Sequence, residues 1–323
     1  MKIAFAGFRH GHILALYEAA VKACDVEIVG CLEEDEKARK AAEDAYKIEF
    51  NYSDYQSLLS DTSASVVAIG DYYGKRGQMV IAALEAGKHV ICDKPICTSL
   101  DELSRIESLA KERGLVVGCM LDLRFMKTAQ KARELIRGGE IGKLLNVSFT
   151  GQHCLDYGNR PSWYFEEGKH GGTINDIAIH GIDIVRFVSG KDLTKVSYAE
   201  TKNGFATMEP NFKDMGHFVA EFDDLTLMAD VSYSAPKFDG ILPTYWRFCF
   251  WGTEGLVSFN YADDELHIYK KTETIIKCGN EAPDHLHELM RQIKGDASLM
   301  MTDDVLNSQR QTLMIQEVAN REK

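Results

Sequence analysis

Lys2-Ile3-Ala4-Phe5-Ala6-Gly7-Phe8-Arg9-His10-Gly11-His12-Ile13-Leu14 reads as a strand, a glycine loop and the start of a helix. The run Lys2–Gly7 is the strand, and Ile13, Leu14, Leu16, Tyr17, Ala20, Val21 and Cys24 recur at helical spacing after it. Such a loop sets backbone N–H groups and a helix N-terminus at the C-terminal edge of a sheet, where a pyrophosphate binds. The spacing is G-x-x-x-G and not G-x-G-x-x-G, with Arg9 where the second glycine would admit a phosphate. A plain strand-to-helix turn reads the loop equally well.

The pattern repeats outward from this stretch. Glu27–Leu32 is a second strand, followed by a helix from Asp35 to Tyr46. Ser65–Gly70 is a third strand, with a helix over Gln78–Ala86 that stops at Gly87. His89–Asp93 is a fourth, ended by Lys94-Pro95; Leu100–Arg113 is a helix capped by Gly114, and Leu115–Met120 a further strand. Strands alternating with helices predict an α/β Rossmann domain with a doubly wound parallel sheet.

Beyond a boundary at Leu121–Phe125 the rhythm changes. A helix over Lys127–Arg137 is broken by Gly138, Gly139 and Gly142, and Leu144–Thr150 is a strand. A helical stretch near Ile174–Val188 precedes a strand-rich region, Val196–Cys278. Its strands are His217–Phe222, Leu225–Ser234, Trp246–Trp251, Leu256–Tyr261, Glu265–Lys271 and Thr274–Cys278, and helices over His285–Lys294 and Asp303–Arg321 finish the chain. Consecutive strands predict an α+β domain with a large, mostly antiparallel open sheet. The expected domains are residues 1–122, for a dinucleotide, and 123–323, for substrate and oligomerisation. Trp246, Phe248 and Phe250 alternate on a face that no following helix covers before His285, so that face is expected to bury against a second subunit.

Composition narrows the function classes. A chain of 323 residues, 45% apolar and 27% charged, suits a soluble protein of two domains. A net charge of −12 argues against a nucleic-acid or membrane-surface partner, both of which need a basic footprint. The apolar run Ile3–Gly7 is too short for a signal peptide or a membrane span. Eight cysteines without a C-x-x-C pair or zinc-like spacing read as reduced thiols in a cytoplasmic protein.

Three positions carry candidate chemistry. The second strand ends Gly30-Cys31-Leu32-Glu33-Glu34-Asp35-Glu36, roughly 20 residues after the loop, where an acid bonds the adenosine ribose. Four acids would repel a 2′-phosphate, which favours NAD over NADP; a solvated helix start explains the same acids. Lys94 closes a strand at the crevice edge, directly before Pro95. Asp176 and His180, at i and i+4, share one helix face. A histidine with a pKa near ~6.5 can move a proton at neutral pH, and Asp176 can orient it. An N-terminal acid and a helix-face histidine fit that spacing as well. Asp183 offers a third ligand, but nothing else points to a metal, and none is expected.

These runs together resemble the glucose–fructose oxidoreductase and inositol dehydrogenase (Gfo/Idh/MocA) family over essentially the whole chain. The resemblance rests on the A-L-E-A-G-K-H-V run Ala83–Val90, the acid-Lys-Pro motif Asp93-Lys94-Pro95, Gly138-Gly139-Glu140-Ile141-Gly142, and Gly171-Gly172 with Asp176-x-x-x-His180. It implies an NAD(H)-dependent oxidoreductase acting on a hydroxyl-bearing carbon of a sugar, inositol or related polyol. Lys94 would bond the substrate hydroxyl or the nicotinamide ribose, His180 would be the general acid/base, and Asp176 would position substrate or histidine. Gly7, Arg9, His10, Gly11, Glu33, Asp71, Tyr72 and Lys94 would form the cofactor cradle. Assembly as a homodimer or homotetramer through the open sheet is implied too. The family's ribose acid aligns with Leu32, one position before Glu33, and Asp71-Tyr72-Tyr73 stands where Thr-Pro-Asn is usual. In the loop His153–His170, the groups His153, Asp156, Asn159 and Arg160 can bond hydroxyls, and Trp163 and Tyr164 can stack on a sugar face or form local core. Two alternatives use the same residues: an NAD-dependent eliminase or glycosidase with transient oxidation, and a non-catalytic dinucleotide- or sugar-binding regulator.

Overall fold

A computed structural model describes residues 1–60 and 63–321. In it the first strands form one five-stranded parallel sheet: β1 (Lys2–Ala6), β2 (Glu27–Leu32), β3 (Val66–Ile69), β4 (His89–Cys92) and β5 (Val117–Cys119), in the order β2-β1-β3-β4-β5. All four residues of β3 are buried, as are Ile3 to Ala6 of β1. Strands so uniformly apolar suit a sheet covered on both faces by helices. Those helices are α1 (Gly11–Lys22), α2 (Glu36–Tyr46), the short α3 (Tyr55–Ser60), α4 (Tyr73–Glu85) and α5 (Leu100–Arg113). The strand order reverses between β1 and β3, so the C-terminal ends of β1, β3 and β4 line the crevice where open α/β sheets bind ligands.

The unit is not one continuous stretch. It comprises Met1–Met120 together with Gly168–Gly171 and Asp284–Gln309, whereas Leu121–Glu167, Gly172–Pro283 and Arg310–Lys323 form the second unit. The C-terminal helices α8 (His285–Ile293) and α9 (Thr302–Arg321) explain the difference from a single cut near residue 122. Thr302 Oγ1 accepts the N–H of Val117 on the edge strand β5 at 3.0 Å, and Gln309 Oε1 accepts that of Ile96 at 2.8 Å. The start of α9 therefore satisfies backbone donors of the first unit. Its later residues serve the second, where Gln311 and Gln316 accept from Leu193 N and Asn175 N.

The second unit holds an eight-stranded sheet of β6 (Leu144–Gln152), β7 (Leu193–Lys202), β8 (Met215–Phe222), β9 (Leu225–Ser232), β10 (Trp246–Gly252), β11 (Leu256–Asn260), β12 (Glu265–Tyr269) and β13 (Glu273–Lys277). The order is β13-β12-β11-β10-β6-β9-β8-β7; only β6 and β9 run parallel. Trp246, Phe248 and Phe250 lie on the inner face, fully buried within this one chain. That corrects the expectation that they meet a second subunit. The reason is α7 (Ile179–Ser189), which packs so closely that a Cβ on its Gly181 would fall 2.2 Å from the Phe149 ring. The open face is the opposite one. Register places Cys249, Ser148, Met228, Val219 and Tyr198 in one row across it, and Trp251, Leu145 and Met228 are each more than two-fifths exposed.

A buried ion pair anchors α7. Arg124, in a 3-10 turn over Asp122–Phe125, donates Nε to Asp183 Oδ2 at 2.6 Å and Nη2 to Oδ1 at 2.5 Å. Asp183, the third ligand considered from sequence, is thus spent on Arg124. Asp183→Asn would leave the guanidinium buried without its counter-charge, so it should lower unfolding stability by about 3–5 kcal/mol, read from denaturant midpoints. A loss under about 1 kcal/mol, the range of surface pairs, would show that the pair is dispensable.

Candidate active site

In the first unit the structure brings the expected cradle residues to neighbouring strand ends. The loop after β1 is sewn down by Gly7 N–H to Leu32 O (2.9 Å) and Arg9 N–H to Gly70 O (3.0 Å). Helix α1 then starts with no side-chain cap and no acid in its first turn. Gly11 is instructive, because a Cβ there would meet nothing within 4 Å. The chain's own packing therefore does not demand a glycine there.

Glu33 sits differently from its expected role at the ribose. It is buried, and its carboxylate accepts the N–H of Phe8 at 2.6 Å and of Asp35 at 2.8 Å, clamping the glycine loop to the end of β2. Burial raises its pKa against the pull of those two amides. The neighbouring acids are partly neutralised. Arg9 lies 4.0 Å from Glu33 and 3.6 Å from Asp35, and Lys75 bonds Glu34 at 2.7 Å and Asp71 at 2.9 Å. Asp35 also caps α2 through Ala38 N–H. The Tyr72 ring has two cations near it, the Arg9 guanidinium at 5.8 Å and the Lys169 ammonium at 5.1 Å from its centre.

Arg76 organises the ends of β3 and β4. Fully buried, it donates Nε to Asp71 O (2.7 Å), Nη1 to Lys94 O (2.6 Å) and Nη2 to Asp93 Oδ2 (3.1 Å). Lys94 is nearly buried, its ammonium 5.9 Å from the Tyr73 ring centre. Asp93 also meets two histidines, His10 Nδ1 at 2.7 Å and His12 Nδ1 at 3.0 Å. Burial pushes the His10 pKa down to about 4, outweighing the upward pull of Asp93. Burial works against ionisation of Asp93 too, but His10, Arg76 and His12 outweigh it and hold the carboxyl well below the usual range.

In the second unit Asp176 and His180 do come from one helical segment, but its winding is unusual. Ile174–Ala178 forms a π-helical turn that runs directly into α7, a distortion frequent at functional sites. The Tyr233 hydroxyl donates to Asp176 Oδ2, and the His180 ring lies edge-on to Trp246 at 5.8 Å. His153 joins the group: its Nε2 is 3.2 Å from Tyr245 Oη, and its ring is 5.7 Å from that of Trp246. Burial pushes the Tyr245 pKa up to about 12, so it stays a phenol.

The loop aromatics have another task. Trp163 and Tyr164 are buried and stacked on each other at 4.2 Å, so they form the core of the loop and offer no open platform to a sugar. Arg160 donates to Leu155 O and Cys154 O, and its guanidinium lies over Tyr164 (4.6 Å) and Tyr233 (5.1 Å). Sequence reading missed Tyr233, Tyr245, Arg76 and His12. The His10-x-His12 spacing was a visible signal, whereas the tyrosines flank strands at ordinary positions.

Residues 1–120 match the model of the oxidoreductase family with an NAD-binding Rossmann fold, and residues 129–258 match the GFO/IDH/MocA C-terminal domain. Levoglucosan dehydrogenase of Pseudarthrobacter phenanthrenivorans is 33% identical over 158 residues, 47% of this chain and 40% of that protein. Myo-inositol 2-dehydrogenase of Thermotoga maritima is 25% identical over 197 residues, 61% of this chain and 57% of that one. The matches thus span about half the length of these relatives. A structure from Erwinia carotovora atroseptica superposes over all of both chains with TM-score 0.89 at 22% identity. Levoglucosan dehydrogenase in complex with NADH gives 0.82 at 20%, over 100% of this chain and 98% of that one.

Glu33→Gln places an amide N–H₂ against one of two backbone donors, so it should cost about 1–3 kcal/mol of stability and loosen the glycine loop. Hydrogen exchange at Phe8 and Asp35 is the direct readout. Unchanged protection at both amides would show that the clamp is not needed.

Proposed function

The chain belongs to the Gfo/Idh/MocA oxidoreductase family, and on that premise we propose that it is an NAD(H)-dependent dehydrogenase of a sugar, inositol or related polyol. The observation that carries this reading is the intact set Lys94, Asp176 and His180, with each side chain held by its own unit's packing. Gly11 leaves room for a dinucleotide at the loop, with Gly7, Arg9, His10, Asp71, Tyr72 and Lys94 as its surroundings. When bound, the nicotinamide accepts or returns a hydride.

The chain's own residues handle the proton and the orientation. His180 takes the hydroxyl proton of the alcohol or returns it to the carbonyl. Tyr233 holds Asp176, which fixes the carboxylate for substrate or histidine. The Lys94 ammonium bonds the reacting hydroxyl or the nicotinamide ribose. His153 and Arg160 are the polar groups of the loop that supports substrate binding, while Trp163 and Tyr164 support it from within.

NAD is favoured over NADP because Glu33, Glu34, Asp35 and Glu36 outnumber their paired cations Arg9 and Lys75. The eight cysteines are present as thiols, which supports a cytoplasmic location. Among the described residues no helix is long and apolar enough to cross a membrane.

One experiment joins the cofactor to the chemistry. Titration should give tighter binding of NADH than of NADPH, and His180→Ala should lower turnover on a polyol panel by roughly 10²–10⁴-fold at nearly unchanged NADH affinity. Lys94→Ala should lower turnover as well. Near wild-type rates in His180→Ala that melts normally would remove the histidine from the mechanism, and equal or tighter NADPH binding would overturn the preference.

The open sheet face carrying Trp251, Leu145 and Met228 is the surface for a second copy of the chain. Light scattering should show a dimer or tetramer at micromolar concentration, and Met228→Lys should shift it toward the monomer. A wild-type monomer there would count against the assembly.

A further inference from the structure

His10 and His12 leave the chain two residues apart, a spacing that on one continuous helix turns side chains to different faces. Here the helix has not yet begun at His10, which is the extended N-cap of α1 (φ −136°, ψ 150°), whereas His12 lies in the first turn. That change of backbone brings both imidazoles to one carboxylate, Asp93, 81 residues beyond His12 and fully buried. One ligand atom from each of the three lies within 4.8 Å of the others, and the rings meet edge to face at 4.7 Å.

We propose that His10, His12 and Asp93 form a three-ligand site for a divalent metal ion of the zinc type, with a fourth coordination position open. Two imidazole nitrogens and one carboxylate oxygen suit such a borderline ion. Bonds of about 2.0–2.1 Å put tetrahedral ligands roughly 3.3 Å apart. The His12 Nδ1–Asp93 Oδ1 pair at 3.0 Å is near that spacing, and His10 Nδ1 reaches the same carboxylate at its other oxygen, Oδ2, at 2.7 Å, so the ion displaces the protons that otherwise join these groups. Arg76 shapes the site without closing it. Its Nη2 is 3.1 Å from Asp93 Oδ2, and its other donors are tied to the carbonyls of Asp71, Lys94 and Pro95, so Oδ1 is the natural ligand. The same fixed cation repels a metal, which makes a site of about micromolar affinity the expectation. The His10-x-His12 spacing is visible in the sequence, but its carboxylate partner is not, because Asp93 comes from the end of a different strand. The inference stands on these three residues alone and does not depend on the dehydrogenase reading.

The test uses the full chain, freed of metal by chelation and titrated with Co²⁺ by visible absorption and with Zn²⁺ by calorimetry. One ion per chain is expected, and His12→Gln should weaken binding by about ten-fold or more. His12 is part-exposed, so this variant keeps its fold, as a thermal melt verifies. His10→Gln should act likewise, and the control His287→Gln, at an exposed histidine, should leave binding unchanged. No ion bound at about 100 µM would overturn the proposal, leaving a hydrogen-bonded triad. Equal binding in wild type and His12→Gln would overturn it too, by placing the ion elsewhere.

Discussion

The buried guanidinium of Arg76 is the constraint on which the first unit's crevice depends. A charge removed from water needs acceptors on every donor, or it costs several kcal/mol. Arg76 finds them in the Asp71, Lys94 and Pro95 carbonyls and the Asp93 carboxylate, with Tyr73 packed 4.6 Å beneath. One side chain from α4 thereby fixes the ends of β3 and β4, including the backbone that carries Lys94. Asp93 in turn gathers His10 and His12, so the loop after β1 answers to the same cation at one remove.

The second unit applies a comparable logic with aromatic rings. Asp176 is held by a tyrosine hydroxyl, and His180 lies against an indole edge. A ring gives a polar side chain a rigid wall at little entropic cost, since it has only two rotatable bonds. Rigid walls are what the proposed role of His180 in proton transfer would require, because such a rate depends on holding a short donor–acceptor distance.

The legibility of this structure in the sequence divides along the reach of each interaction. Local signals sufficed for β1 to β5, for Gly114 as the cap of α5, and for the helical origin of Asp176 and His180. They failed where a partner is distant. Alternation of Trp246, Phe248 and Phe250 showed that one face of β10 is apolar, but not that α7 covers it. Glu33 has the position of a ribose ligand, yet besides the nearby Asp35 amide it serves that of Phe8, 25 residues back. Trp163 and Tyr164 read equally as a platform or as local core, because a loop sequence carries no sign of its own burial; the structure decides for core. The winding at Ile174–Ala178 likewise has no signature in residue type.

The parallel pairing of β6 with β9 bears on how the second unit comes to exist. Strands β7 to β9 form one meander and β10 to β13 another, each joined by neighbours in sequence. β6 pairs with β9 on one side and β10 on the other, across 70 residues or more of intervening chain. Loop-closure entropy opposes such remote contacts until other surfaces reward them. Each meander can zip locally, whereas β6 reaches either one only by closing a long loop. The strand at the middle of the finished sheet is therefore the one whose pairing carries the largest loop-closure cost there.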